Sequence, residues 1–337
     1  MPAPSPSLLA PLYTLGGYRR YFADADFWAP FISQVSSQRG YYYSSPPRSG
    51  LPGTFPTFIL SDRWVIKFFG PLFDGLACHQ TELAVSQLVH PPDFPVPALL
   101  ASGSLFNGDE APCPWPYLIY EYIPSLSLGE VYDQVSYPSR LALARQLGKL
   151  LSQMHALPIP AYSCLASTWD GYLAFVTRLS SDCQARHIAW DSLPASLLAE
   201  IPGYILQPSA LLPPTVSPSL LHVDLTRDHL LGDLQAGDWQ LRAIIDFGDA
   251  LTGDLFYELV VLHLEIFDAD PSLLCAFLDA YQPSLFHRQD FVHKAMTLTL
   301  LHPYDAFATL FSRHPDLRHS PTLASLASRL WGLPPLP

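Results

Sequence analysis

The hydrophobic pattern changes period about a third of the way along this 337-residue chain. Thr57-Phe58-Ile59-Leu60, a turn at Ser61-Asp62 and the run Trp64-Val65-Ile66-Lys67-Phe68-Phe69 read as a hairpin of β-branched and aromatic strands. Just upstream, Ser49 to Thr54 is a Gly/Pro turn carrying Gly50 and Gly53. A helix is expected from Leu76 to Val89, with Ala77, Leu83, Ala84, Leu88 and Val89 as apolar members; it stops before Pro91-Pro92, which cannot continue it. Leu99-Leu100 and Tyr117-Leu118-Ile119-Tyr120 add strands, the second running out into Glu121-Tyr122-Ile123-Pro124. The pattern then turns helical. Pro138-Ser139 offers a start, Leu147, Leu151 and Met154 recur at spacings of four and three, and Pro158 ends the run. Helix-like segments with Trp169, Tyr172, Phe175 and Trp190 fill Ala161 to Tyr204. Two short apolar strands, Leu220-Leu221-His222 and Leu241 to Ile245, flank a loop, and from Leu255 onward the pattern is helical again. The expectation is an α+β chain of two lobes with a cleft between them. Residues 13–122 form a β-rich lobe and residues 123–337 a larger helical one, behind a flexible Pro/Ser-rich tail over residues 1–12.

Composition excludes several classes. At 49% hydrophobic content the chain can bury a sizeable core, and a net charge of −12 lacks the basic face that nucleic acid or an anionic membrane requires. An acidic surface would suit a cationic small molecule, or serve only solubility. The five cysteines are odd in number and scattered with no CxxC pair, which fits a reducing, cytoplasmic setting without a disulfide framework or zinc site. No apolar run reaches the roughly 18 residues of a bilayer span, and the N-terminal residues lack the basic start of a signal peptide.

Candidate chemistry starts from lysine usage. Only Lys67, Lys149 and Lys294 occur, so a lysine placed directly after Val65-Ile66 invites a chemical task over the plainer reading of a strand-end surface residue. Three acidic signatures follow in order: His222-Val223-Asp224 with His229 five residues beyond the aspartate, Asp246-Phe247-Gly248 after an apolar strand, and Asp254 in Gly253-Asp254-Leu255-Phe256-Tyr257-Glu258-Leu259. Phosphoryl transfer needs a group to orient and deprotonate the attacking hydroxyl, metal ions on the phosphates and a cation on the non-transferred ones. Carboxylates on loops after two neighbouring strands can supply the first two.

The stretches Leu221 to Leu231 and Ile244 to Leu259 resemble the aminoglycoside phosphotransferase and choline-kinase-like group of the protein-kinase fold, whose pattern reads H-x-D-x-x-x-x-N and then I-D-F/W-x-x-A-x-x-G-D-P-x-Y-D-L. The resemblance covers about Gly50 to Leu264 and is most specific from Leu221 to Leu259. It implies a bilobal protein-kinase-like fold and assigns Asp224 as catalytic base and Asp246 as the main metal ligand. It also implies that Lys67 grips the α- and β-phosphates with Glu82 holding it, that Glu121 and Tyr122 belong to the linker whose backbone holds the base, that His222 braces the loop and that Asp254 supports it from below. Two departures stand out. His229 occupies the usual asparagine position, as a nitrogen ligand to metal or as a hydrogen-bonding brace. No G-x-G-x-x-G is present, so the turn with Gly50 and Gly53 either covers the phosphates or is a surface turn.

Glu82 could alternatively lie on a solvated helix face, His155 reads as a cap or packing residue, and Trp169, Tyr172 and Trp190 as core or lid aromatics. Glu258, Glu265, Asp268 and Asp270 either line an acidic acceptor pocket or form a solvated helix face. Gly248 and Asp254 are six residues apart, too close for the peptide-binding segment of protein kinases. The expected activity is transfer of the γ-phosphoryl of ATP or GTP, with Mg²⁺ or Mn²⁺, to a hydroxylated small molecule such as an aminoglycoside-like antibiotic or an amino alcohol, with neither nucleic acid nor membrane as partner. The alternative is a non-catalytic nucleotide-binding module of the same fold.

Overall fold

The structure, a computed structural model, describes residues 4–106, 111–161, 163–165, 168–212, 217–282, 284 and 290–333. The chain divides into two compact units, residues 1–126 with 242–249, and residues 127–241 with 250–337. The first is β-rich and the second mainly helical, an α+β architecture.

In the first unit, β1 (Arg48–Ser49), β2 (Thr57–Leu60), β3 (Trp64–Phe68), β4 (Leu99–Ser104) and β5 (Pro116–Glu121) form an antiparallel sheet in the order β1-β2-β3-β5-β4. The hairpin expected around Ser61-Asp62 is β2 and β3, paired so that Thr57 faces Lys67. Side chains alternate across a strand. Ile66 and Phe68 therefore enter one apolar cluster while Phe69 joins a second with Leu118 and Phe55. Lys67 shares the Phe69 face, the side on which α3 (Gly75–Leu88) runs.

The opposite face is covered by a segment that the sequence pattern did not suggest. The tail expected over residues 1–12 is, from Pro6 to Tyr13, a 3₁₀ helix that buries Leu9 and Leu12 completely, while residues 1–3 lie outside the described range. Two helices follow, α1 (Leu15–Tyr21) and α2 (Ala25–Arg39). In α2 the buried positions Trp28, Phe31, Ile32, Val35 and Ser36 recur at the spacing of one helical face. Asp24 caps its start and Gly40, at φ +77°, ends it in the left-handed region that glycine adopts without penalty. Trp28 stacks on Phe68 with ring centroids 4.6 Å apart, fixing this layer to the sheet. A side chain at Gly17 would run into the Pro11 carbonyl, so α1 can lie this close to the 3₁₀ helix only with glycine there.

The second unit contains the two-residue β6 (Leu126–Ser127), which straddles the division, then α4 (Leu128–Val131), α5 (Tyr137–His155), α6 (Trp169–Ser181), α7 (Cys183–Trp190) and α8 (Ala195–Tyr204). Next come β7 (Ser219–Leu221), β8 (Leu230–Gln235), β9 (Asp238–Ile244) and β10 (Leu251–Gly253). The unit ends with α9 (Leu255–Val261), α10 (Pro271–Tyr281), α11 (Phe291–Leu301), α12 (Ala306–Arg313) and α13 (Leu323–Trp331). β7 pairs antiparallel with β10, so the two loops that leave Leu221 and enter Leu251 start from adjacent strands. Among the described residues no helix is long and apolar enough to cross a membrane.

Two buried imidazoles make this unit acid-sensitive. Burial lowers His263 and His302 from 6.5 to about 4; the Leu330 carbonyl bonded to His263 partly opposes the shift, and the nearby Arg186 charge reinforces it for His302. Between pH 6.5 and 4 the unfolded chain binds protons that the folded chain refuses. Stability is therefore full above pH 6.5 and is lost as pH falls towards 4, by about 3 kcal/mol per imidazole. Urea unfolding at pH 7.5, 6 and 5 should show this decline. His302→Gln should roughly halve it, leaving the His263 contribution, and an unchanged slope in that variant would contradict the assignment.

Candidate active site

Lys67 is the centre of a charged cluster in the first unit. Its Nζ lies 2.7 Å from Glu82 Oε2 and 2.8 Å from Asp246 Oδ1. Lys67 and Glu82 are buried, whereas the Asp246 side chain keeps 33% of its surface exposed. Glu82 faces the sheet from the middle of α3, where Tyr120 Oη donates to its Oε1 at 3.1 Å. Phe55 and Phe69 flank the ammonium, with ring centroids 5.6 and 5.2 Å from Nζ. Burial works against the charged lysine, but the carboxylates of Asp246 and Glu82 outweigh it and hold its pKa above the usual lysine value. Burial pushes Glu82 up, and Lys67 pulls it back. We take the pair as ionised, because both groups keep short charge-assisted hydrogen bonds. Asp246 reaches this cluster because the chain from Arg242, near the end of β9, to Asp249 belongs to the first unit, where Ile244 N–H donates to Pro95 O at 2.7 Å. Asp246 itself adopts φ +67°, a left-handed conformation that aspartate tolerates better than most non-glycine residues.

The other residues assigned to nucleotide binding divide. Gly50 N–H donates to Thr57 O, and a side chain there would press on Thr57, so the turn starts tightly against β2. Gly53 is exposed with open space around it. The backbone N–H groups of Glu121 and Tyr122 donate to the Ala98 and Arg63 carbonyls, both at 2.9 Å. They are thus engaged within the lobe, and a backbone donor to a base would have to come from another residue of that segment.

In the second unit the His222-Val223-Asp224 loop leaves β7 through a strained residue. Val223 has φ +73°, an outlier for a β-branched side chain. A carboxylate holds the loop there. Glu258 on α9 is fully buried; its Oε2 accepts from His222 N–H at 2.6 Å, and its Oε1 from Val223 N–H at 3.3 Å. Behind it, His155 Nε2 lies 3.9 Å from Oε2, and His155 Nδ1 is 2.9 Å from Tyr281 Oη. Glu258 is therefore neither on a solvated face nor in an acceptor pocket. A single acid inside the otherwise apolar Leu255-Phe256-Tyr257-Glu258-Leu259-Val260-Val261 was the signal, since a charge in such a run has to be paired. Asp254 caps α9 through Phe256 N–H and accepts from the buried Lys294 Nζ at 3.0 Å.

His222 is buried and stacks on His229, with ring centroids 5.9 Å apart. His229 Nδ1 lies 2.5 Å from the Asp224 carbonyl oxygen. A carbonyl only accepts, so the ring donates from Nδ1. Asp228, one residue earlier, accepts from Ser127 Oγ at 3.4 Å beside Gly129, where a side chain would collide with it. Of the other acids weighed for an acceptor pocket, Glu265 and Asp268 pair with Arg313, and Asp270 caps α10. Tyr172 is buried against Gly253 in the core. Among the described residues no group of three or more His, Cys, Asp or Glu side chains gathers as a metal cluster.

A model of the phosphotransferase enzyme family matches residues 52–291. The GDP complex of aminoglycoside 2'-phosphotransferase-IIIa is similar in structure, with a TM-score of 0.61 at 18% identity over 89% of this chain and 97% of that one. The GDP and kanamycin complex of APH(2'')-IIIa gives 0.58 at 17% identity, over 80% and 88%. The ADP-bound aminoglycoside phosphotransferase APH(2'')-Ib gives 0.53 at 17% identity, over 90% and 99%. These likenesses show the fold, which is protein-kinase-like. A curated relative, the lysine-specific demethylase JMJ21 of Arabidopsis thaliana, is 20% identical over 272 residues. That alignment takes in 65% of this chain but only 29% of the relative's length.

Proposed function

The chain belongs to the phosphotransferase enzyme family, and from that membership we propose that it transfers the γ-phosphoryl group of ATP or GTP to a hydroxyl of a small molecule. The observation that carries this reading is the buried Lys67 ammonium held between Glu82 and Asp246. Burying a lysine with two carboxylates is costly unless the arrangement does something, and an ammonium fixed from two sides is a ready partner for phosphate oxygens.

In this reading Lys67 leaves Asp246 to bind the non-transferred phosphates while Glu82 keeps it oriented. The turn with Gly50 and Gly53 covers them. Asp224 accepts the proton of the acceptor hydroxyl as the new ester bond forms, and Glu258 fixes its position by holding the backbone of the two preceding residues. Asp246 is a hard oxygen donor of the kind Mg²⁺ takes together with phosphates, and an imidazole in place of the family's asparagine, as at His229, would favour Mn²⁺ if it served as a ligand. When bound, such an ion neutralises charge developing on the phosphates. An acceptor bearing amino groups suits the net charge of −12, and kanamycin in one structural relative points to aminoglycosides or amino alcohols as the first compounds to try.

The test is a titration with ATP and GTP, followed by nucleoside diphosphate release over a panel of hydroxylated metabolites and antibiotics. Saturable nucleotide binding and one acceptor class that stimulates release at least about tenfold are expected. Absence of nucleotide binding would refute the reading. Binding without acceptor-dependent release would favour the non-catalytic module.

A further inference from the structure

The turn between β1 and β2 is held from outside by the helical N-terminal segment. Residues 51–54 are exposed, and Gly53 has open space around it. At the base of the turn Gly50 N–H donates to Thr57 O at 2.8 Å, and Phe55 is pinned against Phe69 with ring centroids 4.9 Å apart. Between these anchors, at the end of the exposed stretch, Tyr18 Oη on α1 donates to the Thr54 carbonyl at 2.6 Å. Tyr18 is buried, packed edge-on to Phe73 at 5.5 Å and stacked on Phe22 at 6.1 Å, so its hydroxyl has little room to choose another partner. Burial pushes the phenol above the usual tyrosine pKa, with the Lys67 charge opposing. Tyr18 is thus an O–H donor at working pH, close enough to Lys67 to feel its field. Residue 18 also precedes residue 52, where the family match begins, so Tyr18 lies outside the matched region.

We propose that Tyr18 is a positioning residue for the nucleotide: its hydroxyl clamps the turn of residues 50–56 in the conformation that closes over the phosphates. The clamp explains how an exposed turn without the G-x-G-x-x-G pattern can be ordered. It works by pre-organisation, removing loop freedom before the ligand arrives. It rests on the phosphotransferase reading for the identity of the ligand, but not for the contact itself.

The test is Tyr18→Phe, which keeps the ring packing and deletes only the donor. Without nucleotide, amide hydrogen exchange over residues 50–56 should rise about 3- to 10-fold, the range one hydrogen bond supports, while β3 amides keep their rate. The Kd for ATP or GTP should rise by a similar factor, with kcat at saturating nucleotide unchanged. Unchanged exchange in the turn overturns the clamp. Faster exchange in the turn and β3 alike, or a faster turn with an unaltered Kd, overturns a positioning role. Should the wild-type protein bind neither ATP nor GTP, the phosphotransferase reading falls, and the exchange measurement still judges whether Tyr18 holds the turn.

Discussion

Asp224→Asn is expected to lower phosphoryl transfer by about 10²–10⁴-fold, the usual contribution of a positioned general base, while nucleotide affinity stays near the wild-type value. The geometry makes this substitution clean. The Asp224 group that receives His229 Nδ1–H is its backbone carbonyl, which asparagine retains. The loop is also held through the His222 and Val223 N–H groups by Glu258, contacts that a substitution at position 224 leaves in place. What disappears is a basic oxygen of almost the same shape. Steady-state turnover alongside nucleotide titration would check both halves of the expectation, and normal turnover would remove Asp224 from its role.

Lys67→Ala is expected to cost about 3–5 kcal/mol of stability in addition to weakening nucleotide binding, because removing one member of a buried pair strands the other. Glu82 would keep only the Tyr120 hydroxyl at its Oε1, in a position with almost no solvent. The stranded carboxyl can escape by taking a proton, so the loss should shrink as pH falls. The double variant Lys67→Ala/Glu82→Gln should recover part of it, which urea unfolding would measure as coupling between the two positions. A single variant as stable as the parent would mean that the ammonium and Glu82 are not a buried ion pair.

Much of the first unit's sheet was legible because strands announce themselves through β-branched and aromatic runs. The hairpin at Ser61-Asp62 and the helix before Pro91 both stand within a residue or so of their expected bounds. Scarcity of lysine drew attention to Lys67 as a residue with a chemical task, and the structure buries it in a pair with Glu82. The N-terminal helices were missed for a physical reason. Pro6 and Pro11 look like loop punctuation but suit a 3₁₀ turn, and Pro30 inside α2 obscures a helix otherwise signalled by the Asp24 cap, Gly40 and five buried positions on one face. Tyr18 was therefore invisible, since its partner is a carbonyl 36 residues away that no local pattern encodes. Glu258 was misread in a different way. Spacing along a helix reveals its faces, but which face is buried depends on what packs there, and Glu258 points inward to two backbone N–H groups instead of outward to a ligand.

The central claim is that this chain moves a phosphoryl group onto an alcohol, and label transfer tests it most directly. With γ-labelled ATP or GTP and an acceptor found in the panel, the label should appear as a phosphate ester on that acceptor in the wild-type protein and be nearly absent with Asp224→Asn. Label that ends only in inorganic phosphate, or that reaches the acceptor equally fast in both proteins, would contradict the account.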